Sequence, residues 1–170
     1  DALRQKVRAL SGESHYWPSD TEFEQGWCYG AQYRGGNTSK VRAILEALEL
    51  GKRSAKQELL ALPDGLSVEH VMPQKWETHW PMSNSDAEAL ANRKRLIHSI
   101  GNLTLVTQSF NSALSNEAFS VKQDEIVTTS LLTLNAYFQK FGDHSVWDEK
   151  AITARAQELL PLAQKIWARP

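Results

Sequence analysis

Glu69, His70 and Asn111 are polar residues of the types needed to hydrolyse a phosphodiester bond. The imidazole of His70 titrates near neutrality, so it could take a proton from water at cellular pH. Glu69 and Asn111 offer hard oxygen donors, which suit Mg²⁺ or Mn²⁺ with water in the remaining coordination positions. A structural zinc site is disfavoured, because Cys28 is the single cysteine and no paired Cys or His spacing exists. The residue types therefore indicate a one-metal hydrolytic site.

Ordinary structural explanations stay open for these residues. A single histidine after a carboxylate on a strand is more often a surface residue or a satisfied core residue. Asn111 could begin a helix, and Asn102, next to Gly101, could be present only because asparagine and glycine favour a turn. Asn116 lies five residues after Asn111, off the same helical face, and could merely end that helix. Residue chemistry alone does not choose between the two explanations.

Two short strands must position the site. The run 66–71 is predicted to be a strand that Pro73 stops, because proline lacks a backbone donor and forces extended geometry on the residue before it. The run 103–107 alternates apolar and hydroxyl residues as a half-buried strand does, and Gly101-Asn102 before it is a turn pair. Ser109 could cap a short helix after the second strand. The predicted order is strand, turn, strand, helix.

Helical periodicity accounts for most of the rest of the chain. Apolar residues at helical spacing, with capping residues before them and glycines after them, predict six further helical regions. These are 2–10, a helix entered through Ser19-Asp20, a helix capped by Thr38 or Ser39 and ended by Gly51, 86–98 capped by Ser85 or Asp86, one or two helices over 119–141, and 147–167 with a kink at Pro161.

Composition places the 170-residue chain among ordinary globular domains. It is 41% hydrophobic and 23% charged, which excludes disordered and collagen-like classes. The lone cysteine, and a sequence without a secretory segment or an eighteen-residue apolar span, predict a reducing, cytoplasmic setting and no membrane partner. The chain opens at Asp1 without a methionine, so we expect it to be a fragment of a longer protein.

Any contact with nucleic acid must come from local basic patches, because the net charge is −1. One candidate patch runs from Lys40 to Lys56, where Lys40 and Arg42, near a helix start, could face phosphate. A second is Arg93-Lys94-Arg95, close before the Gly-Asn turn. Either patch could equally be a solvated helix face.

Three motifs in a fixed order give the chain a family resemblance. They are acidic-His-x-x-Pro-Gln at 69–74, Gly-Asn-Leu-Thr-Leu at 101–105, and the Asn-Ser-x-Leu-Ser-Asn-x-x-Phe-x-x-Lys run at 111–122. Together they resemble the HNH, or ββα-metal, nuclease motif, and in detail the C-terminal nuclease domain of GmrSD-type modification-dependent restriction enzymes. The aromatic segment at 16–18 and the late Trp147 and Trp167 are similar to residues of those domains, so the likeness spans most of the chain.

The resemblance implies a fold and a division of the chain. We expect a mainly helical α+β domain with a ββα-metal core of two short antiparallel strands and a helix. The single domain over 1–170 would comprise a helical N-terminal part at 1–60, the ββα-metal core with an insertion at 61–122, and C-terminal helices at 123–170.

The resemblance also implies roles for individual residues. Glu69 and Asn111 would hold the metal, and His70 would be the general base. Asn102 would bond the backbone near His70 and fix the loop. Gln74 and Lys122 are candidate phosphate contacts, Lys122 as a point charge that could also neutralise the transition state, and Asn116 is a secondary candidate.

The function implied is that of a metal-dependent DNA endonuclease, nicking one strand at a time, in a bacterial restriction or phage-defence protein. An upstream nucleotide-dependent sensor domain would be a partner, although this chain contains no Gly-x-x-x-x-Gly-Lys phosphate loop. Two alternatives stay open. One is a nucleic-acid-binding or protein-interaction module that does not cleave, and the other is an RNA endonuclease using the same site.

Overall fold

The structure is a computed structural model that describes residues 2–9, 16–54, 61–82, 84–107, 116–142 and 145–168. Within these ranges the chain is a mainly helical α+β domain, as expected. Its elements are α1 (Ala2–Arg8), α2 (Asp20–Tyr29), α3 (Thr38–Lys52), β1 (Leu66–His70), α4 (Ala87–Leu96), β2 (Leu103–Thr107), α5 (Phe119–Thr129) and α6 (Glu149–Ile166), with 3₁₀ turns at Ile100–Asn102 and Asn135–Lys140.

Local capping explains where two of the helices begin. Ser19 precedes α2 in a reciprocal capping box: its hydroxyl accepts from the backbone of Glu22, and the Glu22 carboxylate accepts from the backbone of Ser19. Asp86 caps α4 by accepting from the backbone N–H of Ala89. Both starts are therefore satisfied by residues close in sequence, which is why the sequence pattern predicts them.

The predicted N-cap of α3 is wrong by one or two residues, and its predicted end is wrong by one. Asn37, and not Thr38 or Ser39, occupies the N-cap position. Its side chain closes the preceding turn instead, accepting from the Arg34 backbone N–H at 2.8 Å and donating to the Gln32 carbonyl at 2.7 Å. The helix also continues through the expected stop at Gly51 to end at Lys52.

The two strands form an antiparallel pair that joins distant parts of the chain. Glu69 lies opposite Thr104, and His70 lies opposite Leu103. One further backbone bond, from Val71 N–H to the Asn102 carbonyl at 2.9 Å, extends the pairing past the end of β1. The predicted strand pair is confirmed, whereas the expected helix after β2, with Ser109 and Asn111, lies outside the described residues.

Two hydrophobic clusters hold the strands in place. The first packs the sheet against α2, α3 and α6, and the second surrounds the chain where it leaves β1. Buried members of the first include Trp27, Leu45, Leu48, Val68, Leu103 and Leu105, and buried members of the second include Val71, Met72, Leu96, Phe119, Phe138 and Trp147. None of the helices in the described ranges is both long and apolar enough to cross a membrane.

Gly101, in the turn directly before β2, allows helix α6 to approach the backbone of that turn closely. A Cβ atom built on Gly101 would lie 2.1 Å from the carbonyl oxygen of Ile152, a backbone atom of α6. The guanidinium of Arg155, also on α6, donates to the carbonyls of Gly101 at 3.0 Å and Leu103 at 2.7 Å. The turn therefore requires glycine for its close contact with a helix.

We predict that Gly101→Ala destabilises the protein, because the new methyl group would force α6 away from the turn. The expected loss in free energy of unfolding is about 1–3 kcal/mol, measured by urea denaturation. Gly26→Ala is the matched control, since a Cβ atom at this helical position meets nothing within 4 Å. The control is expected to gain about 0.5–1 kcal/mol. Equal stability of the Gly101→Ala protein and the wild type would contradict the packing described.

Candidate active site

His70 ends strand β1 in a largely buried position, with 7% of its surface exposed. Its Nε2 atom lies 3.3 Å from Nδ1 of His98. The ring of Tyr33 meets the His70 ring edge-on, with centroids 4.6 Å apart. Tyr33 is itself held by a backbone hydrogen bond of 2.9 Å to the carbonyl of His98. Three segments of chain therefore converge on this imidazole.

The surroundings of His70 keep its imidazole neutral. Burial, with smaller contributions from the nearby His98 and the Lys122 ammonium, lowers the pKa of His70 to about 3. Near pH 7 the ring therefore carries one hydrogen and one free lone pair. A neutral imidazole is the form that a general base needs before it takes a proton.

Asn102 fixes the loop that follows His70. Its side chain is fully buried and makes four hydrogen bonds. The amide oxygen accepts from the Met72 backbone N–H at 2.8 Å and from the Trp147 indole at 2.9 Å. The amide nitrogen donates to the carbonyls of Met72 and Ile97, each at 2.8 Å. The side chain thus holds the backbone two residues beyond His70. The resemblance had implied a bond from Asn102 to the backbone near His70.

Glu69 forms a buried ion pair with Lys122 of α5. The Lys122 ammonium lies 2.5 Å from Oε1 of Glu69 and donates to the His70 carbonyl at 2.8 Å. Burial raises the pKa of Glu69, and burial lowers the pKa of Lys122, while each partner opposes the shift of the other. The pair therefore links α5 to the end of β1 through two desolvated charges.

Lys122, a candidate phosphate contact, lies in the interior of the protein. None of its side chain is exposed to solvent. Residue Phe119, one helical turn earlier, packs in the second hydrophobic cluster, so this face of α5 points inward. Lys122 can be buried on this face because Glu69 and the His70 carbonyl accept hydrogen bonds from its ammonium group.

An open depression of about 340 Å³ lies in front of His70. The side chains of Gln74 and Asn116 are exposed on it. Lys75 also borders it and was not singled out from the sequence. The residues lining the depression are Glu69, His70, Pro73, Gln74, Lys75 and Asn116. Asn111, the second expected metal ligand, lies outside the described residues.

The two expected basic patches differ in what their charges contact. Lys40 and Arg42 are exposed on the first turns of α3, where Arg42 pairs with Glu46 and donates to the Leu66 carbonyl, 3.3 Å away at the start of β1. That end of the strand is roughly 13 Å from His70, at about 3.3 Å per residue. Arg93, by contrast, is buried, where it pairs with Glu149. The triplet at 93–95 is therefore partly structural.

His98 is a site residue that the sequence analysis missed. It had no partner at a recognisable spacing, and its contacts with His70 and Tyr33 are purely tertiary. One signal in the sequence could have drawn attention to it. His98 lies four residues before Asn102, and a residue so close to the buried turn must lie near whatever that turn supports.

The carboxylate and amide oxygens described at the site suit a hydrated Mg²⁺ or Mn²⁺ ion. In the part of the chain that the structure describes, no group of three His, Cys, Asp or Glu side chains converges. Glu69 supplies one carboxylate at the depression, and the Asn116 side chain is exposed beside it. Mg²⁺ is usually bound through one or two carboxylates, with water and substrate phosphate completing its shell. Such a shell needs no enclosed protein cage.

Comparison with known families gives one match that covers most of the chain. The model of the C-terminal domain of GmrSD restriction endonucleases matches residues 17–162. This range includes both strands, the turn at Gly101 and helix α5 with Lys122. No curated protein matches the chain.

We predict that Lys122→Met strongly destabilises the fold, because it leaves the buried Glu69 carboxylate without its cation. The expected loss is about 3–5 kcal/mol in free energy of unfolding, measured by urea denaturation without added metal. A double variant that also carries Glu69→Leu should recover most of the loss. Lys140→Met, which breaks an exposed pair with Glu158, is the control and should cost less than about 1 kcal/mol. Similar small losses at Lys122 and Lys140 would contradict the buried pair.

Proposed function

Because the chain belongs to the family of GmrSD restriction endonuclease C-terminal domains, we propose that it cleaves DNA, with His70 as the general base that activates water. The observation that carries the proposal is a largely buried imidazole at the wall of an open depression, next to a carboxylate. The same place combines an acceptor for a proton with oxygen donors for a metal ion. These are the parts that hydrolysis of a phosphodiester requires.

Glu69 and Asn111 are the proposed ligands of a divalent ion, Mg²⁺ or Mn²⁺ by the chemistry of their oxygens. When bound, the ion would act as a Lewis acid on the scissile phosphate and stabilise the departing oxygen. Lys122 shares the carboxylate of Glu69 and so limits the negative charge at the site. We therefore expect weak binding of the free ion and tighter binding once a phosphate adds its own charge.

His70 carries the proton transfer in this proposal. Its free lone pair takes a proton from the attacking water, and the imidazolium so formed lies beside the phosphodiester anion. That negative charge raises the pKa of the imidazole from its low value in the free protein, because it favours the charged form. Asn102 acts by holding the Met72 backbone, and with it the ring, in place.

Contacts with the DNA backbone would come from both ends of β1. Gln74, Lys75 and Asn116 border the depression and are exposed for hydrogen bonds to phosphates near the cut. Lys40 and Arg42 lie at the other end of the strand and would reach phosphates further along the duplex. These contacts position the backbone and carry no sequence preference of their own.

The proposed context is that of a restriction protein longer than this chain, acting in the cytoplasm. One base and one metal site would cut one strand in each encounter, so a monomer would nick. An upstream nucleotide-dependent domain would supply recognition of the DNA or its modification. Cleavage of RNA would use the same groups, so a direct comparison of DNA and RNA substrates distinguishes the two activities.

We predict that the 170-residue chain relaxes supercoiled plasmid in the presence of Mg²⁺ or Mn²⁺, and that His70→Ala lowers the rate by roughly 10²–10⁴-fold. His79→Ala, at an exposed histidine, is the matched control and should cut at the wild-type rate. Intact plasmid with both metals, or equal cutting by His70→Ala, would refute the nuclease proposal. Faster cleavage of a matched RNA would reassign the substrate.

A second prediction concerns the metal ligands. Titration calorimetry with Mn²⁺ should show weaker binding to Glu69→Gln and to Asn111→Ala than to the wild type, because each substitution removes a coordinating oxygen or its charge. Glu125→Gln changes an exposed carboxylate on α5 and is expected to leave the affinity unchanged. Wild-type affinity in either ligand variant would remove that residue from the coordination shell.

A further inference from the structure

His98 and His70 are close enough for each ring to determine the protonation of the other. Nδ1 of His98 lies 3.3 Å from Nε2 of His70, and the two rings are perpendicular, with centroids 5.4 Å apart. Two neutral imidazoles at this distance share one hydrogen, so one of the facing nitrogens donates and the other accepts. The tautomer of His70 therefore depends on that of His98.

The other nitrogen of His70 indicates which ring donates. In the described ranges, no group forms a hydrogen bond with Nδ1 of His70, and this residue lines the open depression. A general base must present an unprotonated nitrogen to the water that it activates. If Nδ1 is that nitrogen, Nε2 of His70 carries the hydrogen and Nδ1 of His98 accepts it.

We propose that His98 is a positioning residue: it accepts a hydrogen bond from Nε2–H of His70 and so keeps Nδ1 of His70 unprotonated and directed at the depression. This inference rests on the proposed role of His70 as the general base. His98 acts through His70, because the hydrogen bond at one ring nitrogen determines the proton at the other.

Tyr33 holds His98 in the orientation that this bond requires. The two rings are nearly parallel, with an angle of 12° and centroids 6.0 Å apart, and the same tyrosine meets His70 edge-on. A backbone hydrogen bond of 2.9 Å joins Tyr33 N–H to the His98 carbonyl. Burial lowers the pKa of His98, which favours the neutral ring with a lone pair to accept the bond.

Long-range ¹H–¹⁵N NMR on the whole chain, without metal or DNA, reports the tautomer of His70 directly. The expected state is Nε2–H in the wild type and in His98→Asn, whose side-chain oxygen can replace Nδ1 as acceptor. In His98→Leu the acceptor is lost, and both tautomers of His70 should be populated. An Nδ1–H tautomer in the wild type would overturn the inference whether or not the leucine variant folds. An unchanged tautomer in a folded His98→Leu protein would overturn it as well.

Single-turnover plasmid nicking provides the functional readout. His98→Asn should cut within about threefold of the wild type, whereas His98→Leu should lose roughly 10²-fold in rate with little change in DNA affinity. His79→Leu, at an exposed position, is the control and should cut normally. Equal losses in the asparagine and leucine variants would show a merely structural role and overturn the inference. If the wild type cuts no DNA, the nuclease proposal fails, and the NMR tautomer alone then decides whether His98 sets the state of His70.

Discussion

The buried amide of Asn102 is the interaction on which the site depends. It uses both of its amide hydrogens and accepts two hydrogen bonds at its oxygen, so no polar capacity is left unsatisfied. Two of its hydrogen bonds are to the backbone of Met72, thirty residues away in sequence. The other two are to the Ile97 carbonyl and the Trp147 indole. Apolar packing brings these segments together, but apolar contacts are not directional. The hydrogen bonds of the amide are directional, so they determine the path of the chain just beyond His70.

The same turn is supported from the opposite side by a buried cation. Arg155 is fully buried, and burial lowers its pKa to about 10, so it stays charged at neutral pH. Its guanidinium donates to the Gly101 and Leu103 carbonyls and lies 4.9 Å from the ring centroid of Phe138. The segment that carries Asn102 is thus held between a helix and the loop after β1. Movement of either support would displace the candidate base.

Three ionisable groups, Glu69, His70 and Lys122, are buried close together in space at the end of β1. Glu69 and Lys122 neutralise each other, while His70 remains neutral because burial and its cationic and imidazole neighbours oppose protonation. Burying charge in this way costs free energy, and an apolar pair would hold the strand and helix together as well or better. Ionisable groups whose pKa values are shifted by burial and by charged neighbours concentrate at functional sites. Their arrangement at an open depression is what the nuclease proposal explains.

The sequence by itself determined the elements whose causes are local. Ser19 and Asp86 cap their helices through neighbouring backbone groups, and the two strand-forming runs are bounded by local signals, Pro73 after the first and the Gly101-Asn102 turn before the second. Only the tertiary structure decided that Lys122 turns inward and that His98 reaches His70. Those contacts join residues 53 and 28 positions apart, so no local periodicity encodes them. Burial and hydrogen-bond geometry become definite only when the segments pack, and the roles of buried polar residues are therefore decided last.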